Sequence, residues 1–121
     1  MKKILIIEDE RVLQKTLGDT LRKENYEVFS ALDGEMGLKL LESQNFDLII
    51  LDLLLPQISG FEVLKRIKEN EKTKNIPVII LTNFGSAENV DKALELGVTT
   101  YLVKTNYSLP EVVEKVKKSL L

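Results

Sequence analysis

The chain has 121 residues, of which 44% are hydrophobic and 30% charged, and its 17 basic and 19 acidic residues leave a net charge of −2. This length predicts one domain, residues 1–121, with a core of its own, and the balanced charge gives no sign of direct nucleic-acid contact. The chain has no cysteine and no histidine. Disulfides, thiolate or histidine metal ligands and the commonest general base are therefore excluded, which leaves the chemistry to oxygen and ammonium groups.

Residues 1–7 do not match the pattern of a targeting signal. Residues 1–3 lead into only four apolar residues before Glu8. That run is too short for the apolar region of a signal peptide and far too short to cross a bilayer. We therefore expect a cytoplasmic protein without membrane contact.

Apolar runs alternate with helical patterns in the first part of the chain. Residues 3–7 predict a buried strand, and residues 10–24 carry apolar side chains at helical spacing. Residues 26–30 predict a short second strand, after which Asp33 is expected to cap a helix that ends near Ser43. The side chains expected on the apolar faces of these two helices are Leu13, Leu17, Leu21, Met36, Leu40 and Leu41.

The middle of the chain repeats this alternation. Residues 46–52 predict the third and most apolar strand, and Pro56 and Gly60 break the loop after it. The next helix is expected to end in the polar stretch 69–75. A fourth strand is expected over residues 78–82. The apolar positions that mark this helix are Phe61, Leu64 and Ile67.

The last third adds a fifth unit. Ser86 is expected to cap a helix that ends at Gly97 in a left-handed conformation, and residues 98–103 predict the fifth strand. Ser108 and Glu111 form a capping-box pattern, with a proline between them, at the start of the final helix. The apolar side chains expected to face the core from these helices are Val90, Ala93, Leu94, Val113, Val116 and Leu120.

Strands and helices that alternate through short connections predict an α/β fold, a doubly wound parallel sheet covered by helices on both faces. Such sheets bind ligands beyond the carboxyl ends of their strands. In the strand order 2-1-3-4-5, those ends bring together Glu8, Asp9, Asp52, Thr82 and Lys104. Carboxylates about 4 Å apart repel by roughly 4 kcal/mol at an effective dielectric near 20. The cluster of acids therefore calls for a hard divalent cation.

These motifs, in this order and at this spacing, resemble the response-regulator receiver domain of two-component signalling. The resemblance covers the whole chain and implies a flavodoxin-like fold of five parallel strands and five helices. Each motif alone is weak evidence, but the set is highly specific. The motifs are Glu8-Asp9-Glu10, Asp52 to Pro56 with Ser59-Gly60, Leu81-Thr82, and Tyr101 to Lys104.

The resemblance implies that Asp52 accepts a phosphoryl group from a histidine kinase or a histidine phosphotransfer protein. It implies Mg²⁺ bound directly by Asp9 and Asp52, with Glu8 helping directly or through water and the backbone carbonyl of Leu54 as a further ligand. Lys104 would pair with a phosphoryl oxygen. Such a domain is a phosphoacceptor in signalling rather than a conventional enzyme, although it promotes its own phosphorylation and dephosphorylation.

The resemblance also implies a switch. Thr82 would donate its hydroxyl to the phosphoryl group, and its shift would be coupled to inward rotation of Tyr101. The surface of the fourth helix, fifth strand and fifth helix would then signal to a downstream protein or to an output domain missing beyond Leu121. The same surface is the expected contact if the domain forms a homodimer.

Four residues depart from the family's pattern. Thr105 replaces the usual proline after Lys104, so the following loop either tolerates a costly cis bond or takes a trans path. Asn83 replaces a small residue and either crowds the phosphoryl group or offers it an amide. Leu54 and Phe84 are apolar where the hydrolytic water would approach, so we expect slow loss of phosphate; hydrolysis within about a minute would contradict this.

Each of the singled-out residues also fits a purely structural role, and three rival classes of protein share part of the pattern. Asp52 alone could cap a helix, Glu10 fits ordinary compensation of a helix dipole, and Thr82 and Tyr101 fit strand and core positions. A haloacid-dehalogenase-like enzyme would need a second acid where Leu54 stands, and a flavodoxin would need a phosphate loop in place of the first acidic motif. The remaining alternative is a receiver-like interaction module that is not phosphorylated in use.

Overall fold

The computed structural model describes all of residues 1–121 and contains one sheet of five parallel strands. The strands are β1 (Lys3–Ile7), β2 (Glu27–Ala31), β3 (Leu48–Leu51), β4 (Val78–Thr82) and β5 (Thr100–Val103). The helices are α1 (Arg11–Lys23), α2 (Gly34–Ser43), α3 (Gly60–Glu69), α4 (Ala87–Glu95) and α5 (Leu109–Ser119), and Lys104–Asn106 form one 3₁₀ turn. The strand order is β2-β1-β3-β4-β5, which confirms the predicted fold class.

The sheet divides the core into two apolar clusters. Alternate strand residues point to opposite faces, so Leu5 and Ile7 join one cluster while Ile4 and Ile6 join the other. Helices α2, α3 and α4 cover the first face, and α1 and α5 cover the second. Strand β3 is the middle strand of the sheet, and its four residues are all buried, two in each cluster. None of the helices is long and apolar enough to cross a membrane.

The predicted helix ends are confirmed where side chains supply the caps. Asp33 accepts a hydrogen bond from the backbone N–H of Met36, and Ser86 accepts one from Asn89. Ser108 and Glu111 form the predicted reciprocal capping box. Gly97 has a φ of +95°, the left-handed conformation expected after α4.

Three predicted strands are longer than, or displaced from, the observed ones. Strand β2 begins at Glu27 rather than Tyr26, whose N–H bonds instead to the end of α1. Strand β3 excludes Asp47, whose carboxylate accepts the backbone N–H of Lys3 at 2.8 Å. Strand β5 begins two residues late because the N–H of Val98 bonds to the last turn of α4. For Tyr26 and Val98, a local hydrogen bond to the preceding helix takes the N–H away from the sheet.

Two predicted core residues are exposed, Met36 by 44% and Leu94 by 48%. Helix α2 approaches β1 through Gly37, where an added Cβ would lie 2.5 Å from the side chain of Ile7. This close contact buries the glycine face of α2 and turns Met36 outward. Helix α4 buries a single residue, Ala93, whereas each of the other four helices buries at least three.

Candidate functional site

The strand register brings the predicted site residues to one edge of the sheet. Ile7 of β1 pairs with Leu51 of β3, so Glu8 and Asp52 leave neighbouring strands side by side. Asp52 retains a sheet hydrogen bond from its N–H to the carbonyl of Ile7 at 3.0 Å. Thr82 ends the next strand. Lys104 follows β5, whose last residue pairs with Thr82.

Three carboxylates converge at this edge. Glu8, Asp9 and Asp52 each place one oxygen so that the three atoms lie within 4.8 Å of one another. Glu8 and Asp52 are buried, with exposures of 3% and 4%, while Asp9 faces solvent. A cluster of oxygen ligands with one open side suits Mg²⁺, which keeps several waters and binds few protein ligands. The residues present therefore fit this ion.

Lys104 compensates the buried acids. Its Nζ lies 2.7 Å from Oε1 of Glu8 and 2.9 Å from Oδ2 of Asp52. No peptide bond in the chain is cis, so the loop at Thr105 takes a trans path through the 3₁₀ turn. Replacement of the usual proline by Thr105 therefore does not prevent Lys104 from reaching the acids.

The pKa values reflect this burial. Removal from water raises the pKa of Glu8 from 4.5 to about 7, against the opposing effects of Lys104 and of the backbone N–H of Glu10. For Lys104, burial disfavours the charged form, but hydrogen bonds to Glu8 and Asp52 outweigh it and raise the pKa above its ordinary value. Proton uptake by Glu8 near neutral pH would therefore compete with a cation for the cluster.

The loop after β3 holds Asp52 in place. Oδ1 of Asp52 accepts a hydrogen bond from the backbone N–H of Leu54 at 3.0 Å. Oδ2 accepts one from Lys104, so both carboxylate oxygens have a partner. The side chain of Leu54 is 54% exposed. Gly60 packs so closely on this loop that an added Cβ would lie 2.3 Å from the carbonyl oxygen of Asp52. Ser59 caps α3 directly after the loop, a cap that was not predicted from the sequence.

The loop after β4 connects Thr82 with Tyr101. Thr82 is fully buried, and its hydroxyl oxygen accepts the N–H of Phe84 at 3.4 Å. Tyr101 is half-buried and donates its hydroxyl to the carbonyl of Phe84. Burial first, and the charge of Asp52 second, raise the pKa of Tyr101. Asn83 is exposed beside these residues. Both candidate switch residues therefore bond to one backbone segment.

One residue beside the site was absent from the sequence-based predictions. Gln14 of α1 donates its side-chain amide to the backbone carbonyls of Glu8 and Ala31, each at 2.9 Å. It precedes Leu17 and Leu21, which are buried, by three and seven residues and so lies on the same face of α1. A polar residue in an otherwise apolar stripe was the signal that could have revealed it.

Comparison with known proteins defines the family. The family model of the response regulator receiver domain matches residues 4–117. The chain is 37% identical over 120 residues to the response regulator ArlR of Staphylococcus saprophyticus, covering 99% of this chain and 53% of that protein. It is 34% identical to sporulation initiation phosphotransferase F of Bacillus subtilis, covering 98% of this chain and 94% of the relative. The chain belongs to the response-regulator receiver family.

A solved structure supports the same assignment. Response regulator TrrA of Thermotoga maritima, solved in complex with Mg²⁺ and BeF, is 39% identical and superposes with a TM-score of 0.86. The match covers 99% of this chain and 100% of that one. The chain spans about half the length of ArlR but nearly all of phosphotransferase F. Receiver domains thus occur among its relatives both within longer regulators and as short proteins.

Proposed function

We propose that this domain accepts a phosphoryl group on Asp52 in a Mg²⁺-dependent reaction and passes the signal on through its surface. The observation that carries the proposal is the convergence of Glu8, Asp9 and Asp52 within 4.8 Å, with the ammonium of Lys104 against the two buried acids. The donor would be a histidine kinase or a histidine phosphotransfer protein. One Oδ atom of Asp52 forms a bond to phosphorus as the phosphorus–nitrogen bond of phosphohistidine breaks.

Each neighbouring group has a role in this proposal. Glu8, Asp9, Asp52 and the carbonyl of Leu54 would hold Mg²⁺. When bound, this ion would neutralise charge on the phosphoryl oxygens. Lys104 donates a hydrogen bond to Oδ2 of Asp52. It would donate instead to a phosphoryl oxygen, which leaves Oδ2 free for attack.

The response would run through the loop after β4. In the proposed switch the hydroxyl of Thr82 leaves the N–H of Phe84 and donates to the phosphoryl group. Tyr101 bonds to the carbonyl of the same residue, so movement of this loop would alter the position of Tyr101. A change from 1:99 to 99:1 between two states requires roughly 5.5 kcal/mol, which several charge-assisted hydrogen bonds can supply.

The setting of the domain follows from the same proposal. Residues 1–121 would act as one cytoplasmic receiver domain without direct nucleic-acid or membrane contact. The surface of α4, β5 and α5 would contact a downstream protein, an attached output domain or a second copy of the chain. Because Leu54 is exposed and apolar beside Asp52, we also expect the phosphoryl group to be lost slowly without a phosphatase.

The proposal is tested by phosphoryl labelling. Wild-type protein incubated with phosphoramidate or acetyl phosphate should gain one phosphoryl group in the presence of Mg²⁺ and none when the ion is chelated, as measured by intact mass. Asp52→Asn should gain none because a carboxamide cannot form the acyl phosphate. Asp47→Asn is the matched control, since Asp47 precedes the same strand at the opposite end and bonds to the N–H of Lys3.

Two outcomes would contradict the proposal. Equal labelling of wild type and Asp52→Asn would place the phosphoryl group on another residue. Failure of folded wild type to be labelled at any Mg²⁺ concentration would favour an interaction module that is not phosphorylated. Circular dichroism of each variant separates loss of reactivity from loss of fold.

A further inference from the structure

The side-chain amide of Gln14 joins the ends of two strands beside the acidic cluster. Its Nε2 donates to the carbonyl of Glu8 and to the carbonyl of Ala31, both at 2.9 Å. A primary amide has two N–H donors, and Gln14 uses both. The carbonyl of Ala31 also accepts the backbone N–H of Glu8 at 3.0 Å. The end of β1 is thus bonded to the end of β2 both directly and through Gln14.

The bond to Glu8 acts where the sheet stops. Strand β1 ends at Ile7, so the carbonyl of Glu8 lies beyond the regular ladder and takes its hydrogen bond from a side chain. The peptide unit is planar and rigid, so holding its oxygen, on a residue whose N–H is already bonded to Ala31, restricts where the nitrogen and Cα of the next residue can lie. That residue is Asp9, an acid of the cluster. Gln14 therefore constrains the backbone from which both Glu8 and Asp9 project.

The carboxylate of Glu8 depends on the same turn. Its Oε2 accepts the backbone N–H of Glu10 at 3.0 Å, while its Oε1 contacts Lys104 at 2.7 Å. If the peptide between Glu8 and Asp9 turned, the N–H of Glu10 would move away from Oε2. The three carboxylates would then lose their common direction, although no acid had been altered.

We propose that Gln14 is a positioning residue that holds the turn after β1 so that Glu8 and Asp9 converge with Asp52 on a cation. The inference rests on the proposed function, because it assigns Gln14 a part in Mg²⁺ binding by the same cluster. Groups that orient metal ligands typically change metal affinity by 10–100-fold when removed. We expect a loss of at least about 10-fold for Gln14.

The test uses Gln14→Met, which keeps the length of the side chain but removes both donors. Mg²⁺ affinity is measured by calorimetry on wild type, on this variant and on Gln44→Met. Gln44 is also half-buried and accepts from Nζ of Lys3, whose strand starts at the opposite edge of the sheet, so it is a matched control. Gln14→Met should bind Mg²⁺ at least about 10-fold more weakly, while Gln44→Met should match wild type.

A second measurement does not depend on the ion. Amide hydrogen exchange at Glu10 reports the bond from its N–H to Glu8, and its protection should fall at least about 10-fold in Gln14→Met. Gln14→Lys retains N–H donors at this position and should recover most of the protection. Gln14→Leu, which also lacks both donors, provides a second variant if Gln14→Met does not fold.

The outcomes separate the two proposals. Absence of Mg²⁺ binding by wild type contradicts the proposed function, and loss of Glu10 protection in Gln14→Met still supports the role of Gln14 in the turn. Wild-type Mg²⁺ affinity in a folded Gln14→Met overturns the positioning role while leaving the proposed function intact. Equal Glu10 exchange in wild type, Gln14→Met and Gln14→Lys overturns it as well.

Discussion

Replacement of Glu8 by glutamine should change how the stability of the metal-free domain depends on pH. The Glu8 side chain is 5% exposed, and burial raises its pKa from 4.5 to about 7. Glutamine has nearly the same shape and keeps one oxygen that can accept from either Glu10 or Lys104, but it does not titrate, so the contact it loses changes stability equally at every pH. The difference between wild type and Glu8→Gln therefore isolates the ionisation of one carboxyl group.

The sign follows from the direction of the pKa change. The folded state binds the proton of Glu8 more tightly than the unfolded state, so this contribution to stability is complete below pH 4.5 and is lost as pH rises through about 7. Within that window the stability of wild type relative to Glu8→Gln should fall by about 1.4 kcal/mol per pH unit. The total loss is on the order of 3 kcal/mol.

The measurement is urea unfolding of both proteins between pH 4.5 and 8.5 in chelator, followed by circular dichroism. Glu69→Gln is the control, because Glu69 is an exposed acid on α3 and its loss changes the net charge equally. Added Mg²⁺ should stabilise wild type more at pH 8 than at pH 5, since protons compete with the ion at low pH. Parallel pH profiles for wild type and Glu8→Gln would refute the reasoning.

Further predictions concern the loop that carries Asp52. Gly60→Ala should lower the free energy of unfolding by about 3 kcal/mol or more, because its Cβ would lie 2.3 Å from backbone atoms of Asp52 and Leu53. Gly18→Ala is the control; its nearest contact would be the flexible end of Arg22 at 3.2 Å, with Val28 at an ordinary 3.7 Å, and urea unfolding should show a gain of about 0.5–1 kcal/mol. Gln57→Gly should stabilise the domain by about 0.5–1 kcal/mol in the same assay, because Gln57 has a φ of +65°, a left-handed conformation that disfavours side chains. Asn25→Gly, at a φ of +68°, should gain less because asparagine tolerates this conformation, and an equal gain at both positions would contradict this explanation.

The fold was predictable from the sequence because apolar strand patterns alternate with helical patterns and because capping residues mark the starts of helices. The burial of all of β3 and the caps at Asp33, Ser86 and Ser108 agree with the apolar and capping patterns. The acidic cluster was predictable because parallel strands end at one edge, and Glu8 and Asp52 each follow an apolar run.

Some features depend on contacts that no local pattern contains. Met36 is exposed because Gly37 packs on Ile7, which lies thirty residues earlier in the chain. The bonds from Gln14 to Glu8 and Ala31, and from Tyr101 to Phe84, join side chains to backbone carbonyls whose positions only the folded chain defines. Residue identity indicates that such a donor exists but not which oxygen receives it.

Helix α4 buries Ala93 alone, and this has an evolutionary consequence. Replacements at its outward positions remove little apolar contact, so most of them should leave the free energy of unfolding within about 0.5 kcal/mol of its starting value. Its outer face can therefore diverge between duplicated copies of such a domain while each copy still folds. Replacements on this helix can therefore create contacts with a new partner protein and remove contacts with an older one. The edge of the sheet that carries Asp52 tolerates far fewer replacements.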